Sequence, residues 1–133
     1  MAGKTILIID DDRHLLLGLA VRLKGSGYKV VCAKDGTAGI TLARQEGPDL
    51  VILDLGMPGE DGFRVLERMR EVACLSAIPV IVLTARAPAD NEKRALDSGA
   101  VAFFQKPTSN HQFLSAIRQT LGETIALSTF LRT

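Results

Sequence analysis

Five short apolar runs recur along the 133-residue chain: Thr5–Ile9, Tyr28–Ala33, Leu50–Leu53, Val80–Leu83 and Val101–Phe104. Each is nearly continuous in Ile, Val, Leu or Phe rather than alternating with polar residues. Strands buried on both faces of a parallel sheet read this way. The segments between the runs carry helical spacing. Leu16, Leu19, Ala20 and Leu23 recur at i, i+3, i+4 and i+7, and Gly25 and Gly27 supply a stop. Asp35 caps a second predicted helix carrying Ala38 and Leu42, which ends near Gly47-Pro48. Asp61 caps a third, with Phe63, Leu66 and Met69 inward. A fourth runs from about Pro88 to Ser98-Gly99, and a fifth from about Ser109 to Gly122 with Leu114, Ile117 and Leu121 on one face. Strand alternating with helix in this way predicts an α/β fold, an open parallel sheet with helices on both faces and right-handed crossovers.

The length suits one domain with its own core. We expect that domain over residues 1–122. Residues 123–133 are expected to be a C-terminal extension or tail, in which Ile125, Leu127, Phe130 and Leu131 lengthen the last helix, pack on the domain or begin a linker to a further domain. Sixteen basic against fifteen acidic side chains leave no broad electrostatic footprint for nucleic acid or membrane. Met1-Ala2-Gly3-Lys4 leads straight into the first strand and no apolar stretch reaches spanning length, so a cytoplasmic location is expected. Cys32, inside an apolar run, reads as a small core residue. Neither it nor Cys74 has a Cys or His at metal-ligand spacing.

The polar residues at the strand ends carry the chemistry. The first strand runs into Asp10, Asp11 and Asp12, the third into Asp54, the fourth into Thr84 and the fifth into Lys106. Ligands of open α/β sheets sit beyond the carboxyl ends of the strands, so neighbouring strands bring these side chains into one pocket. Two carboxylates about 4 Å apart repel by roughly 4 kcal/mol at an intermediate dielectric. Such a cluster calls for a compensating cation. All-oxygen ligands beside one ammonium suit a hard ion, Mg²⁺ before Zn²⁺. A carboxylate nucleophile facing a hydroxyl, an ammonium and a metal suits phosphoryl transfer to Asp54. Asp12 reads as a helix N-cap. His14 and His111 read as surface helix residues.

Ile6-Leu7-Ile8-Ile9-Asp10-Asp11-Asp12, Leu53-Asp54-Leu55-Gly56-Met57-Pro58-Gly59, Val82-Leu83-Thr84-Ala85 and Lys106-Pro107 together resemble the receiver domain of bacterial two-component response regulators, over roughly residues 4–122. The resemblance implies a flavodoxin-like five-stranded parallel sheet in the order 2-1-3-4-5, flanked by five helices. It implies phosphorylation at Asp54 with Mg²⁺, Asp11 and Asp54 as direct ligands, Asp10 through water, and the Gly56 carbonyl completing the set. Thr84 and Lys106 would sense the phosphoryl group, Phe103 would be the aromatic switch, and Lys106-Pro107 would be a cis peptide. It implies a signalling domain rather than an enzyme, able to catalyse its own phosphorylation from small donors and its own dephosphorylation.

The implied partners are a sensor histidine kinase or histidine phosphotransfer protein, and a downstream protein target or an output domain outside this chain. A phosphorylation-linked homodimer is also implied; direct contact with nucleic acid or membrane is not. Gly56 departs from the larger side chain usual in the family and Arg86 stands at a variable position, and the resemblance implies that both positions tune hydrolysis. Thr108 replaces the usual phenylalanine after Lys-Pro. The competing reading is a phosphorylation-independent interaction module, although such members usually lose an acidic or lysine position that this chain keeps. A hydrolase of the haloacid dehalogenase kind needs a second Asp where Gly56 stands. A flavin carrier would meet repulsion from the acidic first loop.

Overall fold

The five apolar runs form one parallel sheet with the strand order β2-β1-β3-β4-β5, as the resemblance implies. The computed structural model describes residues 3–123. The elements are β1 (Thr5–Ile9), α1 (Arg13–Gly25), β2 (Lys29–Ala33), α2 (Gly36–Glu46), β3 (Leu50–Leu53), α3 (Gly62–Glu71), β4 (Val80–Thr84), α4 (Pro88–Asp97), β5 (Ala102–Gln105) and α5 (Asn110–Thr120). The strand order reverses between β1 and β3, which opens a crevice at their carboxyl ends.

The period-2 alternation of each strand divides the core. Leu7, Ile9, Val51, Leu53, Val80 and Val82 pack under α2, α3 and α4. Ile6, Ile8, Leu50, Ile52, Ile81 and Leu83 pack under α1 and α5. Local signals set the helix starts. Asp12 accepts from the N–H of His14 and Leu15, Asp35 from Ala38, Asp61 from Phe63 and Ser109 from Gln112. Each cap satisfies amides that the first helical turn leaves without partners.

Three expectations change. Cys32 is exposed rather than core, because β2 is an edge strand that the flanking helices only half cover. The other edge strand, β5, is likewise only partly buried. The buried face of α2 is Gly36, Gly39, Ile40 and Ala43, with Ala38 and Leu42 beside it. Here α2 lies so close to the sheet that a Cβ at Gly39 would stand 2.5 Å from Ile9 Cδ1. In α5, Phe113 is a buried anchor outside the expected set of Leu114, Ile117 and Leu121, and it meets Phe104 edge-on at 5.4 Å. Apart from Glu123, the expected extension over 123–133 lies outside the described residues.

The ends of the domain are tied together. The Lys4 ammonium donates to the Leu121 carbonyl at 2.9 Å, and the Tyr28 hydroxyl donates to Glu123 Oε1 at 2.5 Å. Burial, and then the Glu123 carboxylate, push the Tyr28 phenol up to about 12 from an ordinary 10.0. A raised folded-state value stabilises the protein fully below pH 10, and that contribution is lost as the pH climbs toward 12. Tyr28 is the single tyrosine and the chain has no tryptophan, so ultraviolet titration reads it directly. The expected midpoint lies near 12. A midpoint at the ordinary phenol value would mean that neither the burial of Tyr28 nor its Glu123 contact holds in solution.

Candidate functional site

At the carboxyl ends of β1, β3 and β4 the apolar core gives way to acid and hydroxyl. The buried polar and charged side chains among the described residues are Asp10, Asp54 and Thr84, at 2%, 6% and 0% exposure. Burying such groups is costly unless each finds a partner, and each does. Asp10 Oδ1 accepts the Asp12 N–H at 2.9 Å, and its Oδ2 accepts from the Lys106 ammonium at 2.8 Å. Asp54 Oδ1 accepts the Gly56 N–H at 3.1 Å, and its Oδ2 lies 3.5 Å from Lys106 Nζ. The Thr84 hydroxyl accepts the Arg86 N–H at 3.3 Å.

The sheet sets these positions. The Asp54 N–H donates to the Ile9 carbonyl, the Asp10 N–H to Ala33, and the Lys106 N–H to Thr84. The strand ladder therefore continues one residue past its hydrophobic part and holds the functional side chains in register. The Lys106-Pro107 peptide is cis. Asp11 is exposed at the rim, yet carboxylate oxygens of Asp10, Asp11 and Asp54 all lie within 4.8 Å of one another. Phe103 is half-buried, opposite Val82 in the ladder, and packs against the α2–α3–α4 side of the core.

Electrostatics follow the geometry. Burial raises the Asp10 carboxyl above the usual range, and the neighbouring Asp54 charge adds to this, against the lowering influence of Lys106 and the Asp12 amide. Burial alone would lower the Lys106 ammonium. Its hydrogen bond to Asp10 and the charges of Asp10 and Asp54 outweigh that and raise it. One lysine thus serves two crowded carboxylates, and three carboxylates share a space that a hard divalent cation fits.

Some supporting residues were not singled out in the sequence. Gly62 opens α3 at its first position, where a Cβ would stand 2.4 Å from Leu55 Cα and 2.5 Å from the Asp54 carbonyl oxygen. Both obstacles are backbone and cannot swing aside. Gly62→Ala should therefore cost about 1–3 kcal/mol of stability and displace the Asp54 loop. A urea midpoint unchanged from the parent protein would contradict this. The only hint in the sequence was a helix-breaking glycine where a helix begins. The ion pair of Glu60 with Arg68, in which Nη1 donates to both carboxylate oxygens, and the pair of Asp61 with Arg86 likewise join residues that no local pattern connects.

Comparison with known proteins places this geometry in a family. The family model of the response regulator receiver domain matches residues 6–118. The chain belongs to that family. Among relatives of the receiver, PilH of Pseudomonas aeruginosa is 35% identical over 117 residues, 88% of this chain and 97% of PilH. The transcriptional regulatory protein KdpE of Mycobacterium tuberculosis is 38% identical over 121 residues, 91% of this chain but 52% of KdpE. The receiver thus spans about half the length of KdpE. A CheY-like receiver domain from Methanospirillum hungatei superimposes with a TM-score of 0.83 at 28% identity, covering 90% of this chain and 94% of that one. The receiver carries an acidic cluster able to bind a metal, and no helix among the described residues is long and apolar enough to cross a membrane.

Proposed function

We propose that this receiver accepts a phosphoryl group on Asp54 in the presence of Mg²⁺ and relays the change to a protein partner. The observation that carries the proposal is the nearly buried Asp54 carboxylate, facing the Lys106 ammonium at 3.5 Å within a cluster of three acids that fits one cation. Asp11 and Asp54 are the direct metal ligands in this reading, Asp10 acts through water, and the Gly56 carbonyl completes the protein's share. The donor set is oxygen throughout, which Mg²⁺ prefers. When bound, the ion supplies positive charge beside the non-bridging phosphoryl oxygens.

The chain's own groups do the rest. An Asp54 carboxylate oxygen attacks phosphorus. The bond from phosphorus to the donor atom breaks as the new P–O bond forms, leaving an acyl phosphate. With acetyl phosphate the leaving group is acetate, and no proton need move. Lys106 offers its ammonium to the phosphoryl oxygens and Thr84 its hydroxyl. Phe103 then repacks as Thr84 moves. Residues 1–122 make up this unit in the cytoplasm, and 123–133 are an extension or tail. The phosphodonor is a histidine kinase or phosphotransfer protein. The downstream partner reads the face formed by α4, β5 and α5, where Leu96 and Val101 stand exposed.

The test is mass spectrometry of the wild-type protein after incubation with acetyl phosphate and Mg²⁺. One phosphoryl adduct is expected, removed by hydroxylamine and prevented by chelator, with borohydride reduction marking position 54. Unmodified protein at saturating donor and Mg²⁺ would sink the proposal and leave the phosphorylation-independent interaction module in its place.

A further inference from the structure

Arg86 lies in the loop between β4 and α4, two residues beyond Thr84, to whose hydroxyl its N–H donates. Its guanidinium reaches across to the facing loop between β3 and α3. There Nη2 meets Asp61 Oδ2 at 3.3 Å and Nη1 meets Asp61 Oδ1 at 3.5 Å. The arrangement is a fork on a carboxylate, but both contacts are longer than a tight charge-assisted pair. Asp61 Oδ1 is also engaged, because it accepts the Phe63 N–H as the cap of α3. The two side chains are 34% and 49% exposed, and exposed pairs of this kind are weak and readily exchanged.

Gly56 connects this pair to the reacting carboxylate. A Cβ built on Gly56 would lie 3.8 Å from Arg86 Nε and 3.8 Å from Asp54 Oδ1, with no other atom beyond its neighbours Leu55 and Met57 within 4 Å. The guanidinium and the Asp54 carboxylate are therefore no more than twice that distance apart, across space that any side chain at position 56 would occupy. Lys106 is already divided between Asp10 and Asp54. A phosphoryl group on Asp54 brings close to two negative charges and three strong acceptor oxygens. A planar guanidinium with several N–H donors suits it better than the single, already engaged carboxylate of Asp61.

We infer that Arg86 is a phosphoryl-binding residue, held aside by Asp61 in the unmodified chain and transferred to the phosphoryl oxygens once Asp54 carries them. This rests on the Asp54 reading and goes beyond it by naming a counter-ion that competes with the product. The exchange breaks one bridge between the β3–α3 and β4–α4 loops and draws the start of α4 toward the site.

Two measurements test it. The first follows the Arg86 Nε–H signal by NMR while beryllofluoride and Mg²⁺ are added, with fluorine signals reporting adduct formation independently. A large Arg86 shift that tracks adduct occupancy is expected. The second is the rate of phosphorylation by acetyl phosphate. Arg86→Ala should slow it about tenfold, less than the hundredfold of an enclosed donor because the Arg86 side chain is a third exposed. Asp61→Asn, which keeps the helix cap, should speed it about threefold by releasing Arg86. In the double variant the Asp61 effect should vanish. An adduct that forms while the Arg86 signal stays put overturns the inference and leaves the Asp54 reading intact. Equal effects of Asp61→Asn with and without Arg86 overturn it in the same way. Absence of any adduct removes both.

Discussion

Asp54→Asn should abolish acyl phosphate formation while making the metal-free protein more stable. The two effects share one cause. Asparagine keeps an oxygen for the Gly56 N–H, so the loop geometry is retained, but an amide oxygen is neither the anionic nucleophile nor a good metal ligand. Phosphorylation should fall by at least two orders of magnitude. The electrostatic balance moves the other way. Asp54 is repelled by Asp10 and Asp11 and attracted by Lys106, and the repulsion already helps to hold the Asp10 carboxyl up. The repulsion from exposed Asp11 is screened by water, so two repulsions against one attraction leave only a small net gain on neutralisation. Urea unfolding without metal should therefore show a higher midpoint for the variant. With Mg²⁺ the order should narrow or reverse, because binding to the folded state stabilises only a protein that retains its ligands. A variant that is both inactive and less stable would mean that Asp54 is a structural residue.

This cup of charge was legible in the sequence because its members sit at strand ends. A strand's end is a local property: the apolar run stops, and the next residue inherits the ladder's register. Once five runs of similar length are seen, Asp10, Asp54, Thr84 and Lys106 follow as residues at one sheet edge. The caps at Asp12, Asp35, Asp61 and Ser109 were legible for the same reason, since each acts on amides two or three residues away.

What was not legible depends on where one element lies against another. Cys32 looked like core because its neighbours are apolar, but an edge strand is covered according to strand order, which composition does not carry. Asp61 was seen as a cap, and it is one. Its second role, facing Arg86 twenty-five positions away, exists only because two loops lean together over Gly56. Gly62 is required by the approach of α3 to the Asp54 backbone, and that distance becomes visible only when the helix is docked.

Removing the cation exposes the other side of the same balance. Lys106→Ala should weaken the metal-free protein by about 2 kcal/mol at neutral pH, bind Mg²⁺ more tightly, and phosphorylate about a hundredfold more slowly. Breaking a fully buried pair costs about 3–5 kcal/mol. The Lys106 side chain is 18% exposed and Asp10 can escape by taking up a proton, so the smaller figure applies. That escape sets the pH dependence. Asp10 is already held above its ordinary value of 3.8 by burial, and losing the Lys106 hydrogen bond pushes it higher. The folded variant then binds this proton more tightly than the unfolded chain. Its stability falls as the pH rises from the unfolded carboxyl value, and levels off only above the raised folded one. Parent and variant should therefore differ least near pH 4 and increasingly toward neutrality. The parent's own Lys106 is raised, so its contribution is present in full below the unfolded lysine value and is lost only as strongly alkaline pH passes the folded one. Magnesium separates charge balance from chemistry. With the ammonium gone, the ion meets the same acids without a competing cation, and its dissociation constant should drop. On the proposed reading phosphoryl transfer slows nonetheless, because the ammonium of Lys106 would be lost from the phosphoryl oxygens. Tighter Mg²⁺ binding together with unimpaired phosphorylation would confine Lys106 to balancing Asp10.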